Sequence, residues 1–471
     1  MGAPARASTS ASRLATWLFS AESAVSLAVF RILWGALMAW ESWRYLANGW
    51  IHRYYVEPTF LFKYPGFGWV ERLEAPGMLV VAVAMVVSGA LVSVGLAYRA
   101  GSAVFFLSHT YTFLLGASNY LNHGYLICLL AGLMILAPAH RTLSVDAILR
   151  PRIAAAVVPA WSRALLRVQL GIVYVYGGIA KLNADWMIHH QPVRRWMQGS
   201  ADRVPAPLHD LVASEGFTVF VAIGGVAFDL LIVPALLWKR TRPLAALASV
   251  GFHLCNMQLF SIGVFPWLML AATTLFFEPD WPLRVPGLGR HIRRAVGWIT
   301  GRAEGVAETV RWAGVWSKLW VAWVAVQLLV PLRHVLHRGD VAWTEAGHYF
   351  AWRMKLRSKR GSVHYRLVDT VSGETWTVDP ADELSKRQVR KMAGKPELIR
   401  QYANHLVRRY REQEGRVVEV YVEAFASLNY RASQRFIDPE QEIGHAPASW
   451  GSYDWVLPMQ WSEPPHPGAA R

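Results

Sequence analysis

"VQLGIVYVYGGIAKLNADW", Val168 to Trp186, is an almost unbroken apolar run that closes on a lysine. A cation in that place has two physical readings. Lys181 snorkels to the headgroups as an anchor, or it is held out of water, where burial favours the neutral amine and a base results. With the residues before it, the run is long enough to cross the ~30 Å hydrocarbon core of a bilayer.

Comparable runs recur near 22–43, 77–98, 101–118, 123–140, 157–182, 216–237, 243–262, 264–279 and 312–331. They predict a polytopic α-helical membrane protein of about nine spans. The 471 residues are 54% hydrophobic and 17% charged, too apolar a balance for a soluble protein of this size. Many of the 23 tryptophans fall at the ends of the runs, the level where amphipathic rings favour the interface. Connections after even-numbered spans carry Arg99; Arg141, Arg150 and Arg152; Lys239, Arg240 and Arg242; and Arg284, Arg290, Arg293, Arg294 and Arg302. The positive-inside rule makes these connections cytoplasmic, the N-terminus cytoplasmic and the C-terminus extracytoplasmic. The net charge of +16 is accounted for in this way, and no nucleic-acid module is visible. Cys128 and Cys255 lie in apolar runs and form no metal or redox motif.

After Pro331 the pattern changes. "GSVHYRLVDTVSGETWTVDP" alternates apolar and polar residues around a Ser-Gly turn, a hairpin signal. Helical sequence follows from Asp382, and "VVEVYVEAFASLNYR" reads as a further strand. The division expected is a transmembrane helical domain over 1–331 and a soluble, strand-rich α+β domain over 332–471.

In that topology three separated spans bring polar groups to one outer level. The fourth starts with Asn122 and His123, the fifth ends at Lys181, and the seventh carries His253, Asn256 and Gln258 in its middle and outer half. Polar side chains at membrane depth face the protein interior and mark functional sites. Tyr174 and Tyr176 either shape a ring-binding pocket beside the lysine or pack. Asp229 is expected to pair with Arg163 or Arg167, and His109 either packs between helices or serves as a functional group. His189 and His190 lie in the outer loop, and the histidine spacings of a membrane di-iron site are absent, so no catalytic metal is expected.

These stretches resemble vitamin K-dependent γ-glutamyl carboxylase and its bacterial homologues, which share the horizontally transferred transmembrane domain. The resemblance runs through "SLAVFRILWGALM" (Ser26–Met38), "NHGYL" (Asn122–Leu126), "AKLNADW" (Ala180–Trp186), "FHLCNMQLFSIGVFPWLMLA" (Phe252–Ala271) and "LNYRASQRFIDP" (Leu428–Pro439). It implies an enzyme coupling oxygenation of a reduced quinone to its epoxide with carboxylation of a peptide glutamate. The quinol is reduced vitamin K or a menaquinol, with O2 and CO2 as co-substrates and a Glu-containing secreted or periplasmic peptide as acceptor. Lys181 falls on the catalytic lysine, and His123 with Asn122 on the residues that support the quinol oxygens. His253 and Asn256 fall in the matching seventh-span motif. "EAGHYFAWRMKLRS" corresponds to the glutamate-recognition region, with Trp352 and Met354 kept. His348 and Arg357 there read either as carboxylate ligands or as surface residues. Alternatives are a quinol epoxidase without carboxylation and a non-enzymatic membrane scaffold. A bacterial plasma membrane is the expected location.

Overall fold

Residues 10–260, 262–301, 313–449, 451–462 and 464 are described by a computed structural model of the chain. Arg302, the first residues of the expected N-terminal domain and the last of the expected C-terminal domain lie outside the described residues.

The N-terminal part is built around the helices α1 Val25–Ala47, α2 Ala75–Val94, α3 Tyr98–Leu114, α4 Asn122–Leu136, α5 Trp161–Ala180, α6 Glu215–Leu237, α7 Arg242–Leu259, α8 Phe265–Thr273, α9 Leu288–Thr300 and α10 Ala313–Leu332, with shorter helices in the connections. The expected nine spans are not supported. Among the described residues four helices are long and apolar enough to cross a membrane: α1, α2, α6 and α10, the last continuing as Val315–Leu336. The remaining runs form helices that are too short or too polar. α4 has 15 residues and α8 nine. α5 turns Arg163 and Gln169 into the protein interior, both at most 6% exposed.

Small residues set a close helix crossing. A Cβ on Gly35 of α1 would lie 2.3 Å from the Ser93 nitrogen, and one on Gly89 of α2 would lie 2.7 Å from the Ala39 nitrogen. The two backbones therefore touch, as in small-residue packing of membrane helices. Gly89→Leu is expected to cost at least the ~1–3 kcal/mol of an overpacked core. It lowers the thermal midpoint of the detergent-solubilised protein, whereas Gly224→Leu, where a Cβ meets nothing within 4 Å, leaves it near the parent value.

One end of the bundle is tied by buried charge. Arg31, fully buried, donates to the Val92 and Ser93 carbonyls at 3.1 and 2.9 Å and also to that of Leu143. Asp146 accepts from the Ala97 and Tyr98 amides at 2.9 and 2.8 Å, closing the α2–α3 turn. Arg163 grips Glu22 through Nε and Nη2 at 2.8 and 2.6 Å, and Arg167 donates to the Leu275 carbonyl at 2.7 Å. Neither arginine is the partner of Asp229, contrary to expectation.

The C-terminal part is α+β. β1 (Lys359–Asp369) and β2 (Thr375–Val378) form the expected hairpin, Tyr365 opposite Val378. β3 (Val418–Leu428) pairs antiparallel with β1 over its full length, and β4 (Gln434–Arg435) completes the order β2-β1-β3-β4. α11 (Lys386–Met392) starts at a capping box of Ser385 and Gln388. α12 (Pro396–Glu414) lays Leu398, Ile399, Tyr402, Ala403 and Leu406, all fully buried, over the sheet.

Phe62, Tyr64, Ala117 and Tyr120, from loops of the helical bundle, belong to the core of this second part. Trp352, from the second part, belongs to the core of the first. The two parts thus exchange side chains. Polar contacts fix the same seam: Gln388 Nε2 donates to the Phe60 carbonyl at 2.7 Å, and Gln401 bonds both the amide and the carbonyl of Lys63 at 2.8 and 2.9 Å.

Candidate active site

Between the two parts lies a cavity of about 850 Å³. Its inner wall comes from the helical bundle and includes Asn122, His123, Tyr174, Lys181, Asp229, His253, Asn256 and Phe265.

Lys181 reaches this wall because α5 ends at Ala180 and Asn183 starts a new turn by accepting from the Trp186 amide at 3.1 Å. The lysine side chain folds back to the Gly177 carbonyl at 3.1 Å and to the carboxylate of Asp229. The preceding Gly-Gly pair makes that contact possible. A Cβ on Gly178 would lie 2.6 Å from Leu230, and one on Gly177 would lie 3.3 Å from Asp229 Oδ2. Only glycines let α6 come near enough for its carboxylate to meet Lys181. The pair is well shielded, with side-chain exposures of 10% and 8%. Lys181 is therefore neither a snorkelling anchor nor an isolated amine. It is one half of a buried Lys–Asp pair.

The imidazoles expected beside it are there. His253 is 1% exposed, and its Nε2 lies 2.9 Å from the Tyr174 hydroxyl. Its Nδ1 is buried without a partner. Phe265 stands between the two imidazoles, 6.0 Å from the His123 ring and 6.2 Å from that of His253. Asn122 accepts from the Tyr120 hydroxyl at 2.9 Å, and Tyr120 in turn accepts from the Phe350 amide of the C-terminal part.

Two expected members are elsewhere. Gln258 does not line the cavity; its amide approaches the Arg203 carbonyl. Tyr176 bonds the Leu328 carbonyl of α10. Both follow from helix geometry. At ~100° per residue, positions two or five apart point to widely separated sides, so Tyr176 cannot share a face with Tyr174, nor Gln258 with His253. Of the two readings of His109, its contacts are those of packing: it is stacked on Phe105 with its Nε2 3.4 Å from the Gly124 carbonyl.

The outer wall comes from the C-terminal part. Met354 extends to within 3.3 Å of the Cβ position at Gly177, and His348 and Arg357 also line the cavity. Trp352 does not. It is fully buried and stacks on Tyr125 at 4.9 Å, seating this segment on the bundle. Arg357 bonds the carboxylate of Glu345, and its Nη1 lies 3.3 Å from His348 Nδ1. Burial opposes ionisation of Glu345, but the Arg357, Lys359 and Lys395 charges outweigh it and hold the carboxyl below its ordinary range. Burial also lowers the ammonium groups, Lys359 to about 7 and Lys395 to about 8.

The cavity mouth is strongly cationic, which the one-dimensional pattern does not reveal. Lys355, Arg387, Arg390, Lys391 and Lys395 line it, and among the described residues none of them forms an ion pair. A second unforeseen feature is a clamp beneath the site. Asp185, four residues after the lysine, accepts from Arg431 Nη1 at 2.8 Å and from Asn429 Nδ2 at 2.6 Å. It joins "AKLNADW" to "LNYRAS", stretches far apart in sequence.

No solved structure matches the chain. The family model of the HTTM domain matches residues 19–281, and that of the vitamin K-dependent gamma-carboxylase lumenal domain matches residues 313–462. The first match spans the bundle that holds Lys181 and the second the part that closes the cavity over it, and the chain, an integral membrane protein, belongs to the vitamin K-dependent gamma-carboxylase family.

Proposed function

We propose that this protein couples oxygenation of a reduced quinone to its epoxide with carboxylation, by CO2, of glutamate in an acidic peptide. The observation that carries this reading is the single cavity with two unlike walls. One wall is apolar, with a buried Lys–Asp pair and two imidazoles; the other ends in unpaired cations. The polar groups of the inner wall suit a planar diphenol. His253 has an unpartnered buried nitrogen, and Asn122 and His123 stand at the head of α4. A bound quinol supplies, on reaction with oxygen, a base strong enough to remove a proton from a glutamate γ-carbon.

The chain's own residues do the rest. Lys181 Nζ, a neutral amine while Asp229 holds the proton of the buried pair, accepts the quinol hydroxyl proton and becomes an ammonium beside Asp229. His123, Asn122 and the Tyr174–His253 pair orient the ring by its oxygens. Phe265 and Met354 keep water from the reacting region, which protects a strong base from being quenched. Cations at the mouth attract the acidic peptide and hold its carboxylates. We place the N-terminus in the cytoplasm and the C-terminal part outside a bacterial plasma membrane, where a secreted or periplasmic peptide reaches the mouth. We place the boundary between the membrane domain and the extracytoplasmic domain at 331/332.

The test uses purified protein with vitamin K hydroquinone or menaquinol, oxygen, labelled bicarbonate and a Glu-containing peptide, assaying epoxide and fixed label separately. Both products are expected. Epoxide without label across a series of acidic peptides would reduce the function to quinol oxygenation, and neither product from folded protein would refute it. Lys391→Glu is expected to raise the KM for the peptide by about tenfold, with the effect fading at high salt and kcat for epoxide unchanged. An unchanged KM would remove the mouth from peptide recognition.

A further inference from the structure

The bundle end opposite the cavity carries a second surface. α9, "LGRHIRRAVGWIT", is two-sided: at ~100° per residue Leu288, Ile292 and Ile299 fall on one arc, and Arg290, Arg293 and Arg294 on the other. The apolar arc is only partly covered. Ile299 is buried against Ala147 and Ala154, whereas Leu288 is 56% exposed. The segment against which α9 packs adds Leu149, 65% exposed, and the exposed Arg150 and Arg152.

Nearby carboxylates do not neutralise these arginines. Asp146 is held by the Ala97 and Tyr98 amides, Glu278 by Arg242 at 3.0 Å, and Asp280 by Arg284 at 2.7 Å. Among the described residues Arg150, Arg152, Arg290 and Arg294 have no ion-pair partner.

Asp146 closes the α2–α3 turn, which belongs to the bundle end where α5 begins; Lys181 follows the other end of that helix. The 20 residues of α5 rise about 30 Å, the thickness of a bilayer's hydrocarbon core. The arginine surface therefore sits one membrane thickness from the cavity, with exposed leucines next to exposed guanidinium groups. That juxtaposition matches the headgroup boundary, with acyl chains on one side and phosphates on the other.

We infer that α9 and the 145–153 segment form a binding surface for anionic phospholipid, the arginines on headgroup phosphates and Leu149 and Leu288 among the upper acyl chains. The surface is independent of the activity proposed above. It forms part of the folded protein, so lipid bound there stabilises the native state by mass action.

The experiment compares the full-length protein in phosphatidylcholine nanodiscs with and without phosphatidylglycerol. The anionic lipid is expected to raise the thermal midpoint by several degrees. The shift persists when Arg150, Arg152, Arg290 and Arg294 are all replaced by lysine, and disappears when all four are replaced by glutamine. A full shift in the glutamine variant overturns the inference. So does the same shift from inorganic phosphate in solution, which would assign the arginines to a free anion. Should the glutamine variant not fold, quenching by brominated lipid decides on the otherwise intact chain. The part of the fluorescence removed by Trp298→Phe must be quenched more by brominated phosphatidylglycerol than by brominated phosphatidylcholine, and equal quenching overturns the assignment.

Discussion

Lys181→Ala is expected to lower quinol-dependent epoxide formation by about 10²–10⁴-fold, the range of a positioned general base. The alanine also leaves Asp229 buried without its partner, so lost activity alone would not separate a base from a structural counter-ion. Lys181→Arg separates them. Arginine carries a fixed positive charge and can still meet Asp229, but it does not give up its proton in proteins. The expected result is a protein with near-parental thermal stability and activity as low as that of the alanine variant. An active arginine variant would show that Lys181 supplies charge and not a proton acceptor. Epoxide formation is the readout because it does not depend on the choice of peptide.

The second large effect is structural. Arg431→Ala removes both guanidinium bonds from Asp185, with the arginine side chain only 2% exposed. Breaking a buried pair by deleting one member costs about 3–5 kcal/mol, because the charge left behind is uncompensated. Asn429 remains as a single donor and does not neutralise Asp185. Denaturant or thermal unfolding is expected to show a loss of that order. Adding Asp185→Leu to Arg431→Met should recover much of it, since well-packed apolar groups replace buried pairs at little cost. If the single variant unfolds like the parent, the clamp does not hold the C-terminal part to the bundle. The expected companion effect is lost activity without any change at Lys181 itself. The clamp starts four residues after the lysine, and Met354, delivered by the clamped part, helps to line the cavity.

Much of this was legible in one dimension. Apolar runs and an alternating tail separate a helical membrane part from an α+β part by period alone. The polar residues Asn122, His123, Lys181, His253 and Asn256 stand out because such groups are costly inside long apolar runs, and the fold brings all five to one cavity. Helical phase, applied more strictly, would also have removed Tyr176 and Gln258 from the set.

Other features depended on tertiary structure. Counting residues from the start of α6 puts Asp229 deep in the helix, far from the level at which α5 ends. The connection between these helices packs beside the first half of α6, with Trp186 Nε1 on the Ala222 carbonyl at 2.9 Å. Lys181 and Asp229 are thereby brought level. The number of spans likewise could not be counted from apolar runs, because α5 and α7 bury polar faces in the protein and α8 is only nine residues long. The cationic mouth gathers residues from separate stretches of the C-terminal part, and the Asp185–Arg431 clamp closes across 246 residues. Local sequence determines which segments form helices and strands, through hydrophobic period and capping. Which charges meet is decided by how those segments dock, because an ion pair depends on separation in space and carries no periodic signal along the chain.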